Sequence, residues 1–125
     1  MKEIHLTYRN KYDYTIIDIE GNIGFHDVSK IVSFIYDYEL SEAYNLILNF
    51  KNKSVINISA LPEFVKLSNS LHDSQKNMYF MNLSKDQKEL FKTQGFYKYF
   101  NFINDEEVLM ESLHKDSLDD ILDID

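Results

Sequence analysis

The sequence predicts a mixed α/β fold, with about four helices packed against a β-sheet of mixed direction in the order ββαβαβαβα. Three observations carry this. The first two apolar segments are short, rich in β-branched and aromatic residues, and separated by a polar break, as in a hairpin. After them, stretches with helical spacing alternate with short apolar runs, as in strands linked through helices. The chain has 125 residues, 44% of them hydrophobic, with 9 Phe and 9 Tyr, which is enough for one core without disulfides.

Residues 3–8 and 13–20 read as the hairpin strands, and Arg9, Asn10 and Lys11 as the turn between them. Gly21, Asn22, Ile23 and Gly24 then break the pattern, since Gly and Asn accept positive φ at low cost. The first helix is expected from about Asp27 to Glu39, because Val28, Ile31, Val32 and Ile35 share one stripe and Asp27 suits an N-cap. Asn45–Phe50 is nearly continuously apolar, which suits a strand buried on both faces. Residues 51–54 form a solvated break before Val55 and Ile56. The second helix is expected from Ser59 or Ala60 to His72, with Leu61, Phe64, Val65 and Leu71 on one face and Ser68 among them. Pro62 belongs in a first helical turn, which points to Ser59 as the cap. Asn77–Leu83 reads as a strand. Ser84 then caps a third helix over 85–94, which Gly95 ends at C′. A short strand over 100–103 leads to a helix opening on Asp105, Glu106 and Glu107, acids that suit the positive end of a helix dipole.

The net charge is -8, and its placement is uneven. Residues 1–104 hold 12 acidic and 12 basic side chains, whereas residues 105–125 hold nine acidic ones and Lys115. The total argues against a nucleic-acid-binding face. The absence of cysteine excludes a disulfide scaffold, cysteine zinc sites and thiol catalysis, and agrees with a cytoplasmic location. The start of the chain has no apolar signal core, and no apolar run approaches the ~20 residues that span a bilayer, so no membrane insertion is expected. There is no internal repeat and no long linker. One domain is expected over 1–114, followed by an acidic segment, 115–125, that either extends the last helix or folds on a partner.

Several local signatures coincide with this order of elements. Leu90, a short spacer, Gly95 and Phe96 are followed by Phe100, Asn101 and Phe102, then by Glu106, Glu107, Val108 and Leu109. With the Gly21-Asn22-Ile23 turn, these make the chain resemble the STAS family of bacterial anti-sigma-factor antagonists over about residues 3–114. The family's switch motif reads Asp-Ser-Ser-Gly-Leu-Gly, with phosphorylation on the second serine. The corresponding stretch is Asn57-Ile58-Ser59-Ala60-Leu61-Pro62, in which Ser59 and Leu61 agree and the other four positions depart.

The resemblance implies a regulatory binding protein rather than an enzyme, with no cofactor. Its partner would be an anti-sigma factor or switch-type serine kinase, with a PP2C-like phosphatase as a further partner, under control of Ser59 phosphorylation. A phosphate adds about -1.5 to -2 charges at a partner interface, while orphan N–H groups at a helix start accommodate an anion. The plain alternative is that Ser59 only caps its helix, worth about 1 kcal/mol. The resemblance further implies a partner surface of Asn22, Phe25, His26, Asn57, Ile58, Ser59, Ala60 and Leu61. Phe25 serves equally as a staple under the first helix, and His26 as a solvated side chain. A second reading is a degenerate STAS module, acting as a constitutive scaffold or an accessory subunit of a lipid-transport complex. Catalysis finds little support. His5, His26, His72 and His114 show no ligand spacing, Ser59 lies in no nucleophile elbow, and a His26–Asp27–Ser59 set is an ordinary coincidence. Lys85, Lys88 and Lys92 read as a solvated helix face, and Tyr36, Tyr38 and Tyr44 as a candidate contact patch.

Overall fold

The computed structural model describes residues 3–51 and 54–111, so the expectation for the acidic segment 115–125 lies outside the described residues. The strands are β1 (His5–Lys11), β2 (Tyr14–Glu20), β3 (Asn22–Ile23), β4 (Asn45–Phe50), β5 (Val55–Ile56), β6 (Asn77–Met81) and β7 (Asn101–Ile103). The helices are α1 (Phe25–Asp37), α2 (Leu61–Asp73) and α3 (Lys85–Thr93), and residues 106–111 form α4. Five strands make one sheet in the order β1-β2-β4-β6-β7, and β3 and β5 make a second, two-stranded one. Among the described residues only β1 runs antiparallel to its neighbour; β2, β4, β6 and β7 are parallel. The mixed α/β class and the order of major elements are as expected.

Each parallel crossover, through α1, α2 and α3, steps to the next strand in the same direction. With the usual handedness, all three helices then lie on one face of the sheet. On that face Ile17, Ile19, Leu46, Leu48, Phe50, Met78 and Phe80 meet Val28, Ile31, Ile35, Leu61, Phe64, Leu67, Leu71 and Phe91. The other face is smaller: Ile16, Ile47 and Met81 pack under Leu109 of α4. The central strands are therefore buried on both faces, which accounts for the continuous apolar run of β4.

Local chemistry sets the element ends, and several differ from expectation. Arg9, Asn10 and Lys11 are not a turn but the last residues of β1, paired with Ile16, Thr15 and Tyr14. The reversal falls on Tyr12 and Asp13, with Tyr12 at φ 55°. Two of these polar residues are held in the ladder by partners on the facing strand: Arg9 bonds Asp18, and Thr15 Oγ1 donates to Asn10 Oδ1 at 2.9 Å. α1 starts two residues earlier than expected, on Gly24, and Asp27 sits inside the first turn, where its Oδ2 accepts the Gly24 N–H at 2.8 Å. Leu67, outside the expected apolar set of α2, is buried, and Val65 is only partly so. β6 ends at Met81, short of Leu83, because Asn82 turns to φ 66°. α3 follows its signals. Ser84 Oγ accepts the Gln87 N–H at 3.1 Å, and Gly95 at φ 78° lets the Phe96 N–H return to the Phe91 carbonyl at 2.8 Å.

Candidate partner-docking site at Ser59

The carboxyl ends of β2 and β4 each turn into a helix, and the two turns are joined by the small β3–β5 sheet. Asn22 pairs with Val55 and Ile23 with Ile56, in parallel. The Val55 N–H donates to the Gly21 carbonyl at 3.2 Å and the Asn57 N–H to the Ile23 carbonyl at 2.8 Å. Gly21 adopts φ 131°, a conformation that strains any residue with a side chain, and a Cβ there would press on Ile4 at 3.3 Å. The buried Ser54 hydroxyl locks the arrangement: it accepts the Gly21 N–H at 2.9 Å and donates toward the Ile19 and Lys51 carbonyls.

Ser59 follows on a 3₁₀ turn, Ile58–Ala60, that runs directly into α2. Ser59 is not the cap. The N-cap position of α2 is Ala60, with no side-chain cap, and the capping side chain is that of Asn57 at the head of the 3₁₀ turn: its Oδ1 accepts the Ser59 N–H at 3.0 Å, and its carbonyl accepts the Ala60 N–H at 2.9 Å. Pro62, at the start of α2, brings no N–H. With the Leu61 N–H bonded to Ile58, the first donors of this helix start are spent. The N–H groups of Ser59, Ala60 and Leu61 are thus engaged within the turn, so this helix start offers fewer orphan donors than the sequence suggests. Because the Asn57 cap is exposed, Asn57→Ala should cost about 1 kcal/mol or less in urea unfolding, with the fold retained.

The structure brings most of the expected site residues into one region. Asn22, Phe25, His26, Asn57, Ile58 and Ser59 are exposed, and α1 packs against the Ser59 turn. Phe25 is 50% exposed and stacks edge-on with His26 at 5.2 Å, so it is not a buried staple. Ala60 and Leu61 are corrections. Both are 0% exposed and seat α2 in the core, so their side chains offer nothing to a partner. Val55, exposed beside Ile58, adds apolar surface that sequence reasoning missed. A groove of about 610 Å³ between α1 and α2 adjoins the region, lined by Phe25, His26, Val32, Tyr36 and Leu67 among others. Ser54 and Gln87 were also missed. Gln87 Oε1 accepts the Ile56 N–H at 2.9 Å, a bond between distant segments that no local pattern marks.

The remaining candidates are placed as follows. The Asp27 carboxylate is engaged by the Gly24 N–H and faces Lys30 at 3.7 Å. Lys88 bonds Asn104 at 2.8 Å, and Lys92 lies near Glu89 and over the Tyr97 ring, so two of the three lysines of this face have local partners. Tyr36, Tyr38 and Tyr44 are exposed, and Tyr38 packs with Tyr8 and Phe34 at 5.4 and 4.8 Å. Among the described residues no cluster of three His, Asp or Glu is placed to hold a metal, and no helix is long and apolar enough to cross a membrane.

On the opposite face, the Arg9 guanidinium joins three elements. Nε and Nη2 donate to Asp18 at 2.8 and 3.1 Å, Nη1 donates to Glu106 Oε2 at 3.0 Å, and Nη2 also donates to Glu106 Oε1. Asp18 accepts a further bond from the buried Asn49 at 2.7 Å and faces Lys51 at 3.7 Å. Burial alone would push the Asp18 carboxyl up, but bonds from Arg9 and Asn49 and the nearby positive charges hold it below the usual range. The Arg9 hydrogen bond does the same for Glu106 against mild desolvation.

A mainly parallel sheet with an antiparallel edge strand, three helices on one face and an exposed serine turn before α2 defines a small α/β domain of one recurrent type. The STAS domain model matches residues 5–109, and the chain belongs to that family. Three similar solved structures share the fold at low identity. TM1081 of Thermotoga maritima aligns with TM-score 0.71 at 12% identity, over 87% of this chain and 94% of that one. The anti-sigma factor antagonist SpoIIAA in its unphosphorylated form aligns with TM-score 0.65 at 17% identity, over 88% and 97%. The Bacillus cell fate determinant SpoIIAA in its phosphorylated form aligns with TM-score 0.60 at 17% identity, over 86% and 99%. No curated protein sequence matches the chain significantly.

Proposed function

We propose that this STAS domain is a regulatory binding protein of the anti-sigma-factor-antagonist kind, released from a serine-kinase-type anti-sigma factor or related switch kinase by phosphorylation of Ser59. The observation that carries the reading is the setting of Ser59. Its side chain is exposed, no described residue bonds its hydroxyl, and exposed apolar groups on Val55, Ile58 and Phe25 surround its region. Such a surface favours a partner that buries it. A phosphate there brings about -1.5 to -2 charges, and with the first backbone donors of α2 already used, that charge faces the partner rather than its own helix. The likeness to phosphorylated and unphosphorylated SpoIIAA supports the same logic.

The test is capture of partners from the native cell with the full chain and with Ser59→Asp, joined to phosphopeptide mass spectrometry of Ser59. A kinase-like partner lost by about tenfold or more with Ser59→Asp, as expected for like charge in a desolvated interface, together with phosphate on Ser59 supports the switch. An unmodified Ser59 under all growth conditions and unchanged capture with Ser59→Asp would sink it. That result favours the constitutive scaffold, or the accessory subunit of a lipid-transport complex, which the apolar character of Val55, Ile58 and Phe25 also suits.

A further inference from the structure

The sequence Ser84-Lys85-Asp86-Gln87 has the spacing of a capping box, in which the N3 side chain reaches back to the N-cap N–H. Half of that box is present: Ser84 Oγ accepts the Gln87 N–H at 3.1 Å. The Gln87 carboxamide, however, is spent elsewhere. It crosses to β5 and accepts the Ile56 N–H at 2.9 Å.

The reason lies in the geometry of the two-stranded sheet. In a parallel pair alternate N–H groups point to opposite sides. Those of Val55 and Asn57 point to β3, so that of Ile56 points away from it, where the small sheet has no further strand among the described residues. Ile56 is 1% exposed, so its N–H needs a protein acceptor. Gln87 supplies it. The Ser59 segment is thereby held from both sides: through Gly21, Ile23 and Ser54 toward the α1 turn, and through Gln87 toward α3.

We propose that Gln87 is a positioning residue for Ser59, fixing the outer edge of β5 and so the presentation of the Asn57–Ser59 turn, and that it links the first turn of α3 to the switch. This regulatory role rests on reading Ser59 as the switch position, whereas the geometry it tests does not.

Amide hydrogen exchange followed by NMR on the full chain decides it, comparing Gln87→Leu, Gln87→Ala and Gln87→Glu. The first two remove the acceptor; the third keeps a carboxyl oxygen able to accept the Ile56 N–H. The N–H groups of Asn57 and Ser59, which Gln87 does not touch, are expected to exchange at least about fivefold faster in Gln87→Leu and Gln87→Ala, with amides of β4 and the last turn of α3 unchanged and Gln87→Glu near the parent rate. Unchanged exchange at Asn57 and Ser59, an equal acceleration throughout the chain, or failure of Gln87→Glu to restore the parent rate would overturn the positioning role. An unphosphorylated Ser59 would overturn the proposed switch while leaving this result intact, and unchanged exchange would overturn the link while leaving phosphorylation intact.

Discussion

Phe80→Ala is expected to lower the unfolding free energy by about 3–5 kcal/mol, the loss found when a fully buried aromatic side chain is cut back. Phe80 is 0% exposed, and its ring is the hub of the main core. It stacks on Phe50 and Phe102 at 5.5 and 6.0 Å and meets Phe64, Phe91 and Phe100 edge-on at 5.3, 5.6 and 4.7 Å. Those rings come from β4, β7, α2, α3 and the segment before β7, so the truncation opens a void between elements that cannot all close on it. Phe91 also meets both Phe100 and Phe102, at 5.5 and 5.7 Å, a constraint that resists collapse. A domain of this size has about 5–15 kcal/mol in total, so much of its reserve would go. Urea unfolding followed by tyrosine fluorescence checks this, with Phe80→Leu as the milder companion at about 1–2 kcal/mol. A loss under 1 kcal/mol for Phe80→Ala would mean the core repacks around the void. Because α2 and α3 both rest on this ring, the Ser59 segment would loosen with it.

The parts of the fold that were legible in the sequence are those written in local chemistry. Ser84 and Gly95 mark the ends of α3 because a cap and a left-handed C′ residue act within one turn of the helix they bound. β4 was legible because a strand buried on both faces needs an unbroken apolar run. Misplaced elements have non-local causes. Arg9, Asn10 and Lys11 look like a turn because they are polar, yet they stay in β1, where Arg9 bonds Asp18 and also Glu106, 97 positions away, and Asn10 bonds Thr15 across the hairpin. β3 and β5 have two residues each, too short for any periodicity to register. At the site, Ser59 stood out through its family motif, but the division of labour with Asn57 did not. Both are good caps, and only the 3₁₀ turn decides that Asn57 serves the backbone while the Ser59 hydroxyl is left exposed. Ala60 and Leu61 share the motif with Ser59 but face inward, since a helix start presents successive residues to different sides.

Arg9→Leu is expected to destabilise the domain by about 2 kcal/mol at neutral pH and to reverse the contribution of Asp18 to acid sensitivity. The loss comes less from the missing bonds than from what they leave behind: Asp18, only 7% exposed, becomes a buried carboxylate with Asn49 and the distant Lys51 as its remaining partners. Removing one member of a buried ion pair typically costs about 3–5 kcal/mol, but Arg9 and Glu106 are each about a third exposed, and solvent screening brings the figure down. In the parent protein Asp18 and Glu106 are held below their ordinary values of 3.8 and 4.5. Their folded forms therefore bind protons less readily than their unfolded forms, and the stability they contribute is complete above that range and lost as pH falls through and below it. In Arg9→Leu burial prevails at Asp18 and its folded carboxyl moves above the ordinary value, so protonation relieves the folded state. The gap between the two proteins should consequently narrow as pH drops below about 4.5. Adding Asp18→Asn to Arg9→Leu should recover part of the loss at neutral pH by removing the stranded charge. Urea unfolding at pH near 7 and near 3.5 reads both effects. A gap that stays constant with pH, or a double variant no more stable than Arg9→Leu, would show that Arg9 acts by packing alone. The same cluster is what ties α4 to β1 and β2, so an ordered back face of the sheet depends on charge at Arg9 as well as on Leu109 against Ile16, Ile47 and Met81.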